Sequence, residues 1–137
     1  MPNYELEHVA ISVSDLDRTV AWYSETFGFA EVGRSDKPDL GARVALLRLG
    51  DHLIEVFAPY EPLPLPEGES RLRSSLQRLG TKHMALVVDD VVAAYEQLKV
   101  RGVDLETEVV AGRTSKYFFC RDPDGLLIEI IQRHQPL

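Results

Sequence analysis

The chain has 137 residues, is 45% apolar, and carries a formal net charge of −7 from 22 acidic and 15 basic residues. That length and apolar content suit one globular domain rather than a disordered chain, and an acidic balance without a dense Lys/Arg run argues against a nucleic-acid partner. No apolar run approaches the roughly 20 residues of a membrane span, no signal-peptide pattern opens the chain, and the lone Cys120 allows no internal disulfide, so the expected setting is the reducing cytoplasm.

In chain order, residues 5–13 read as a strand whose apolar run ends at Ser14-Asp15. Residues 15–27 read as a helix. Leu16, Val20, Tyr23 and Phe27 recur at helical spacing, Ser14 or Asp15 can cap the first turn, and Gly28 suits the left-handed turn that closes it. Strands are expected near 30–35, 42–49 and 52–58. Residues 59–69 hold Pro59, Pro62, Pro64 and Pro66, which favours a stiff, extended linker. A short helix is expected over 70–79, with Leu72, Leu76 and Leu79 on one stripe and Ser70 as its cap. The second half repeats the plan: a strand at 82–88, a helix at 90–101, and strands near 104–110, 116–121 and 126–132. Asp122-Pro123-Asp124-Gly125 marks a tight turn between the last two.

The repetition is internal and in register. His83-Met84-Ala85-Leu86-Val87-Val88 follows His8-Val9-Ala10-Ile11-Ser12-Val13 by 75 residues; Gly102 follows Gly28 by 74, and Ile128-Glu129-Ile130 follows Ile54-Glu55-Val56 by 74. One residue deleted within the second long helix accounts for all three offsets. The expected fold is therefore α+β, two tandem βαβββ modules. Module one spans 1–58, the linker 59–69, the short helix 70–79 and module two 80–137.

Side chains alternate between the faces of a strand. Glu55 shares its face with Leu53 and Phe57, and Glu129 shares its face with Leu127 and Ile131. An ionised carboxylate in such company costs several kcal/mol unless a cation compensates it. His8 and His83 begin equivalent strands, with the small Ala10 and Ala85 next on the same face. Alone, each glutamate reads as plain surface, and each histidine as plain surface or a satisfied core residue. Four polar residues at matching places in both halves call for one shared reason, and two imidazoles with two carboxylates suit one divalent ion such as Zn, Ni, Co, Mn or Fe.

At these residues the chain resembles the vicinal oxygen chelate superfamily, which includes glyoxalase I, methylmalonyl-CoA epimerase, extradiol dioxygenases and antibiotic-resistance proteins. The resemblance rests on His8 in His-Val-Ala-Ile-Ser-Val-Ser-Asp-Leu, on Trp22-Tyr23 and Phe27-Gly28-Phe29, on His83 before Val88-Asp89-Asp90, and on Asp122-Pro123-Asp124-Gly125 leading to Ile128-Glu129. It implies a glyoxalase-like fold with paired modules forming a metal-containing cleft, and commonly a homodimer. His8, Glu55, His83 and Glu129 match the ligand pattern of bacterial glyoxalase I position by position.

The resemblance further implies a metal-dependent lyase or isomerase, similar to lactoylglutathione lyase, that moves a proton next to a carbonyl. Glu129 is the implied base, with Glu55 second. Gly41-Ala42-Arg43-Val44 and Leu49-Gly50-Asp51 look instead like methylmalonyl-CoA epimerases, yet Lys82-His83 stands where those show paired histidines. An iron-dependent dioxygenase and a non-catalytic small-molecule-binding resistance protein are the other readings. The substrate expected is a small glutathione or CoA thioester or hemithioacetal, with Arg43, Arg113 and Lys116 set against ordinary surface charge as holders of its anionic tail.

Overall fold

The computed structural model describes all 137 residues. Chain contacts divide it into two units, Met1–Pro64 and Leu65–Leu137. The first unit runs β1 (His8–Ser12), α1 (Leu16–Phe27), β2 (Ala30–Lys37), a 3₁₀ turn (Pro38–Leu40), β3 (Ala42–Leu49) and β4 (His52–Pro59). Its four strands form one sheet in the order β1-β4-β3-β2, with β1 parallel to β4 and the other pairs antiparallel. The second unit runs α2 (Leu72–Ser75), β5 (Met84–Val87), α3 (Val91–Val100), β6 (Val110–Ala111), β7 (Ser115–Arg121) and β8 (Leu127–Arg133). Its sheet order, β5-β8-β7-β6, repeats the first. The two tandem βαβββ modules expected from the sequence are both present, and the class is α+β. No helix is long and apolar enough to cross a membrane.

Each core lies between one long helix and one face of its sheet. Asp15 caps α1 by accepting from the Arg18 amide, and Asp90 caps α3 by accepting from the Ala93 amide. Gly28 closes α1 at φ 85°, a left-handed conformation that glycine adopts freely. Leu16, Val20 and Tyr23 are buried against the side of the sheet that carries Ala45, Leu47, Ile54 and Val56. In the second unit Val91, Leu98, Phe118, Ile128 and Ile130 play the same part, and the Phe118 ring meets Tyr95 edge-on at 5.2 Å. The Asp122 carboxylate accepts from the amides of Asp124 and Leu126 at 2.9 and 3.0 Å, which fixes the turn that feeds β8.

The first strand is shorter than expected, His8–Ser12 instead of 5–13, and two later elements differ further. The helix over 70–79 shrinks to Leu72–Ser75, because Leu76 and Leu79 are 56% and 102% exposed and so gain nothing from helical alignment. Ser70 does not cap it; the Leu72 amide donates to Glu106, 34 residues away, at 2.6 Å. The strand near 104–110 is reduced to Val110–Ala111 and one bridge, Leu105 to Cys120. Glu106, drawn to Leu72 and to Arg121, takes this stretch out of a regular ladder.

Phe118→Ala is expected to remove about 3–5 kcal/mol of stability, since a fully buried ring leaves a cavity. Asp90→Ala is expected to cost only about 1 kcal/mol, the loss of one cap. Urea unfolding followed by circular dichroism measures both.

Candidate active site

Strand alternation decides which side chains face the helix and which face away. On β4, Ile54, Val56 and Ala58 are buried beneath α1, while Leu53, Glu55 and Phe57 lie half-buried on the opposite, open face. Register extends that face across the sheet: Glu55 is opposite Ala10 on β1 and Leu46 on β3, and Leu53 is opposite His8 and Arg48. His8 is therefore one strand away from Glu55 and two residues back. Its Nε2 lies 3.5 Å from Glu55 Oε1. Its Nδ1 lies 2.9 Å from Glu7 Oε1, a hydrogen bond that puts the ring proton on Nδ1 and leaves the Nε2 lone pair on the Glu55 side.

The second unit has the same arrangement. Glu129 is opposite Ala85 on β5 and Phe119 on β7. His83 stands immediately before β5, with Nε2 3.3 Å from Glu129 Oε1. Its ring meets Phe119 edge-on at 4.8 Å, and its Nδ1 is buried without a hydrogen-bond partner. Lys82, the preceding residue, is anchored to the carbonyls of Ser75 and Arg78 at 2.7 and 2.6 Å, which fixes the chain entering β5.

A charge-assisted N–H···O contact closes to about 2.7–2.9 Å, so neither imidazole–carboxylate pair is a tight ion pair. Two donors each about 2.1 Å from a common ion at tetrahedral angle stand about 3.4 Å apart. Both pairs match that spacing, and an imidazole with a carboxylate is a donor set that Zn, Ni, Co, Mn and Fe accept. Each unit thus holds a donor pair whose spacing fits a divalent ion. Neither unit gathers three or more His, Cys, Asp or Glu side chains into a metal cluster of its own.

The expected anion-binding residues fall elsewhere. Arg43 is opposite Ala58, on the helix-covered side of the sheet rather than Glu55's. Lys116 is opposite Gln132, whose side chain caps the α3 amide of Val91, so it too lies on the helix side. Arg113 lies exposed in the loop between β6 and β7. The cation that shares the open face beside His8 and Glu55 is Arg48, which is not among the residues expected from the sequence. Counting alternate residues along β3 from the position opposite Glu55 would have found it.

Arg121 holds the equivalent place in the second unit, opposite Leu127 on Glu129's face. There it is engaged: Asp104 at 3.0 Å, Glu106, and the Ser70 carbonyl at 2.6 Å. On the helix side of unit one, Arg34 is likewise tied to Glu31 and Asp17, and its guanidinium holds the Asp17 carboxyl below the usual range.

Each unit carries a His–Glu pair on the open face of a βαβββ scaffold, which defines a class of tandem-module α+β proteins. Residues 5–130 match the Glyoxalase/Bleomycin resistance protein/Dioxygenase superfamily, and the chain belongs to that family. It is 28% identical to a probable lactoylglutathione lyase of Vibrio cholerae, over 98% of this chain and 95% of that protein. It is 35% identical to an ethylmalonyl-CoA/methylmalonyl-CoA epimerase of Cereibacter sphaeroides, over 93% of this chain and 96% of that one. A glyoxalase family protein of Enterococcus faecalis has a similar structure, with a TM-score of 0.78 at 26% identity, covering 93% of this chain and 96% of its own.

Cys120 is no part of this chemistry. Burial pushes its thiol up to about 12, and the neighbouring Asp122 carboxylate adds to the effect. A thiol reagent at pH 8 is expected to modify the native protein only as fast as it unfolds, and the urea-unfolded chain at once; rapid labelling of the native protein contradicts this placement.

Proposed function

We propose that this chain is a divalent-metal-dependent lyase or isomerase, similar to lactoylglutathione lyase, that moves a proton from a carbon next to a carbonyl. The observation that carries the reading is the repeated imidazole–carboxylate pair, at 3.5 Å for His8–Glu55 and 3.3 Å for His83–Glu129, at matched register in both units. His8, Glu55, His83 and Glu129 are the proposed ligands of one ion per chain. When bound, the ion supplies Lewis acidity toward a carbonyl oxygen.

The chain's own groups do the rest. Glu129 is the proposed general base, accepting the proton from the substrate carbon and returning it to a neighbouring or opposite position. Its side chain is 17% exposed against 28% for Glu55, and the apolar Phe119 stands opposite it on β7. Ala85 and Ala10, directly opposite the two carboxylates, leave space above the sheet for a substrate carbon to approach. Glu55 is the second candidate for the base.

The proposal admits two substrate classes, a glutathione hemithioacetal and a CoA thioester. The epimerase relative, at 35% identity, supports the second as the alternative reading. Both are small, anionic and carbonyl-containing, and both reactions need the same proton transfer.

Glu129→Gln is expected to lower kcat by about 10²–10⁴-fold with the circular dichroism spectrum and melting curve unchanged. The assay is a panel of methylglyoxal–glutathione hemithioacetal, methylmalonyl-CoA and a catechol, run on nickel-, cobalt-, zinc- and manganese-loaded protein. Turnover of either of the first two supports the proposal. Oxygen uptake with the catechol alone, or a fully active Glu129→Gln variant, removes it.

A further inference from the structure

We propose that Arg48 recognises an ionised oxygen group of the ligand on the open face of unit one, an assignment that rests on the reading of that face as the substrate's. The two units supply an internal comparison. Arg48 and Arg121 occupy equivalent places, each opposite the residue two before the ligand carboxylate, Leu53 before Glu55 and Leu127 before Glu129. The chain opposite them is equivalent as well: Ala30 pairs with Arg48, and the Arg121 amide donates to the Asp104 carbonyl at 2.8 Å.

The difference between the units lies in the counter-ions. Counted from the helix-ending glycines Gly28 and Gly102, Ala30 stands where Asp104 stands and Val32 where Glu106 stands. Both carboxylates that neutralise Arg121 are replaced by hydrocarbon around Arg48. Arg121 is thereby spent on its own fold, with its side chain only 14% exposed. Arg48 is exposed and has no ion-pair partner.

Its surroundings favour an external anion. Arg48 is a diagonal neighbour of Glu55, a relation that sets side-chain bases about 7–8 Å apart and lets a long side chain reach over the intervening surface. Gly33, on the adjoining strand of the same face, leaves open space: a methyl group there would meet nothing within 4 Å. The other cation of that face, Lys37, is at its far end, opposite Ala42. A guanidinium forks onto a carboxylate or phosphate through two parallel hydrogen bonds. In a chain of net charge −7 an anionic ligand is opposed at long range, so a local cation decides whether it docks.

The test is calorimetric titration of the full-length chain with S-hexylglutathione, a source of carboxylates, and with coenzyme A, a source of phosphates. It compares wild type, Arg48→Ala, Arg48→Lys and Ala30→Asp at low and high ionic strength. Arg48→Ala is expected to weaken one of the two probes about 10–100-fold. Arg48→Lys recovers only part of the affinity, because it keeps the charge and loses the fork, and Ala30→Asp loses it by giving Arg48 the internal partner that Asp104 gives Arg121. Salt weakens wild type more than Arg48→Ala. The probe affected identifies the oxygen group.

Unchanged affinity of Arg48→Ala for both probes, or no binding of either probe to wild type, overturns the assignment. Neither probe is turned over, so an inactive protein that still binds through Arg48 removes only the proposed reaction. An active one that binds independently of Arg48 removes only this inference.

Discussion

Glu55 and Glu129 each sit mid-strand with leucine, isoleucine or phenylalanine on either side of them along the same face. A carboxylate there gives up part of its hydration to apolar neighbours, a cost that a cation held beside it offsets. In both units the nearest group is an imidazole one strand away, too distant to close a short hydrogen bond and at the separation of two donors around a shared ion. The parallel β1–β4 and β5–β8 pairings create this relation. They are the only ladders that bring the module's first strand beside its last, so the crossover helices α1 and α3 are what deliver each imidazole to its carboxylate.

The modules share a plan but differ in how they use it. His8 is oriented from outside by the exposed Glu7, whereas His83 is oriented by the edge of Phe119 and by the anchored Lys82 before it. Unit two spends acidic side chains on internal structure: Glu106 caps the short helix and grips Arg121, and Asp104 completes the pair. A duplicated chain that kept both copies identical would place two neutralised arginines on its open faces. Because the acidic partners are present in unit two alone, only Arg121 is neutralised internally.

Much of this was legible in the sequence because it depends on local signals. The 74- and 75-residue offsets mark both modules, Asp15 is one of the two caps expected for the first helix, and strand alternation groups Glu55 with Leu53 and Phe57 and Glu129 with Leu127 and Ile131. What escaped depends on contacts between distant residues. Glu106 capping α2 spans 34 residues and carries no local pattern, so the extent of the helix and of the strand after α3 was overread. Arg43 and Lys116 stand out by charge, yet a side chain's face follows from register with a neighbouring strand, and register places both on the helix side of their sheets. Arg48 was overlooked for the same reason.

The proposed sharing of one ion by both pairs is tested most directly by metal analysis of chelator-free protein combined with X-ray absorption at the metal edge. The account predicts one ion per chain in a shell of nitrogen and oxygen donors, two of them imidazole, with no sulfur, and half of the imidazole signal lost in either His8→Ala or His83→Ala. Protein that retains no ion, or two ions per chain each with a single imidazole, contradicts it.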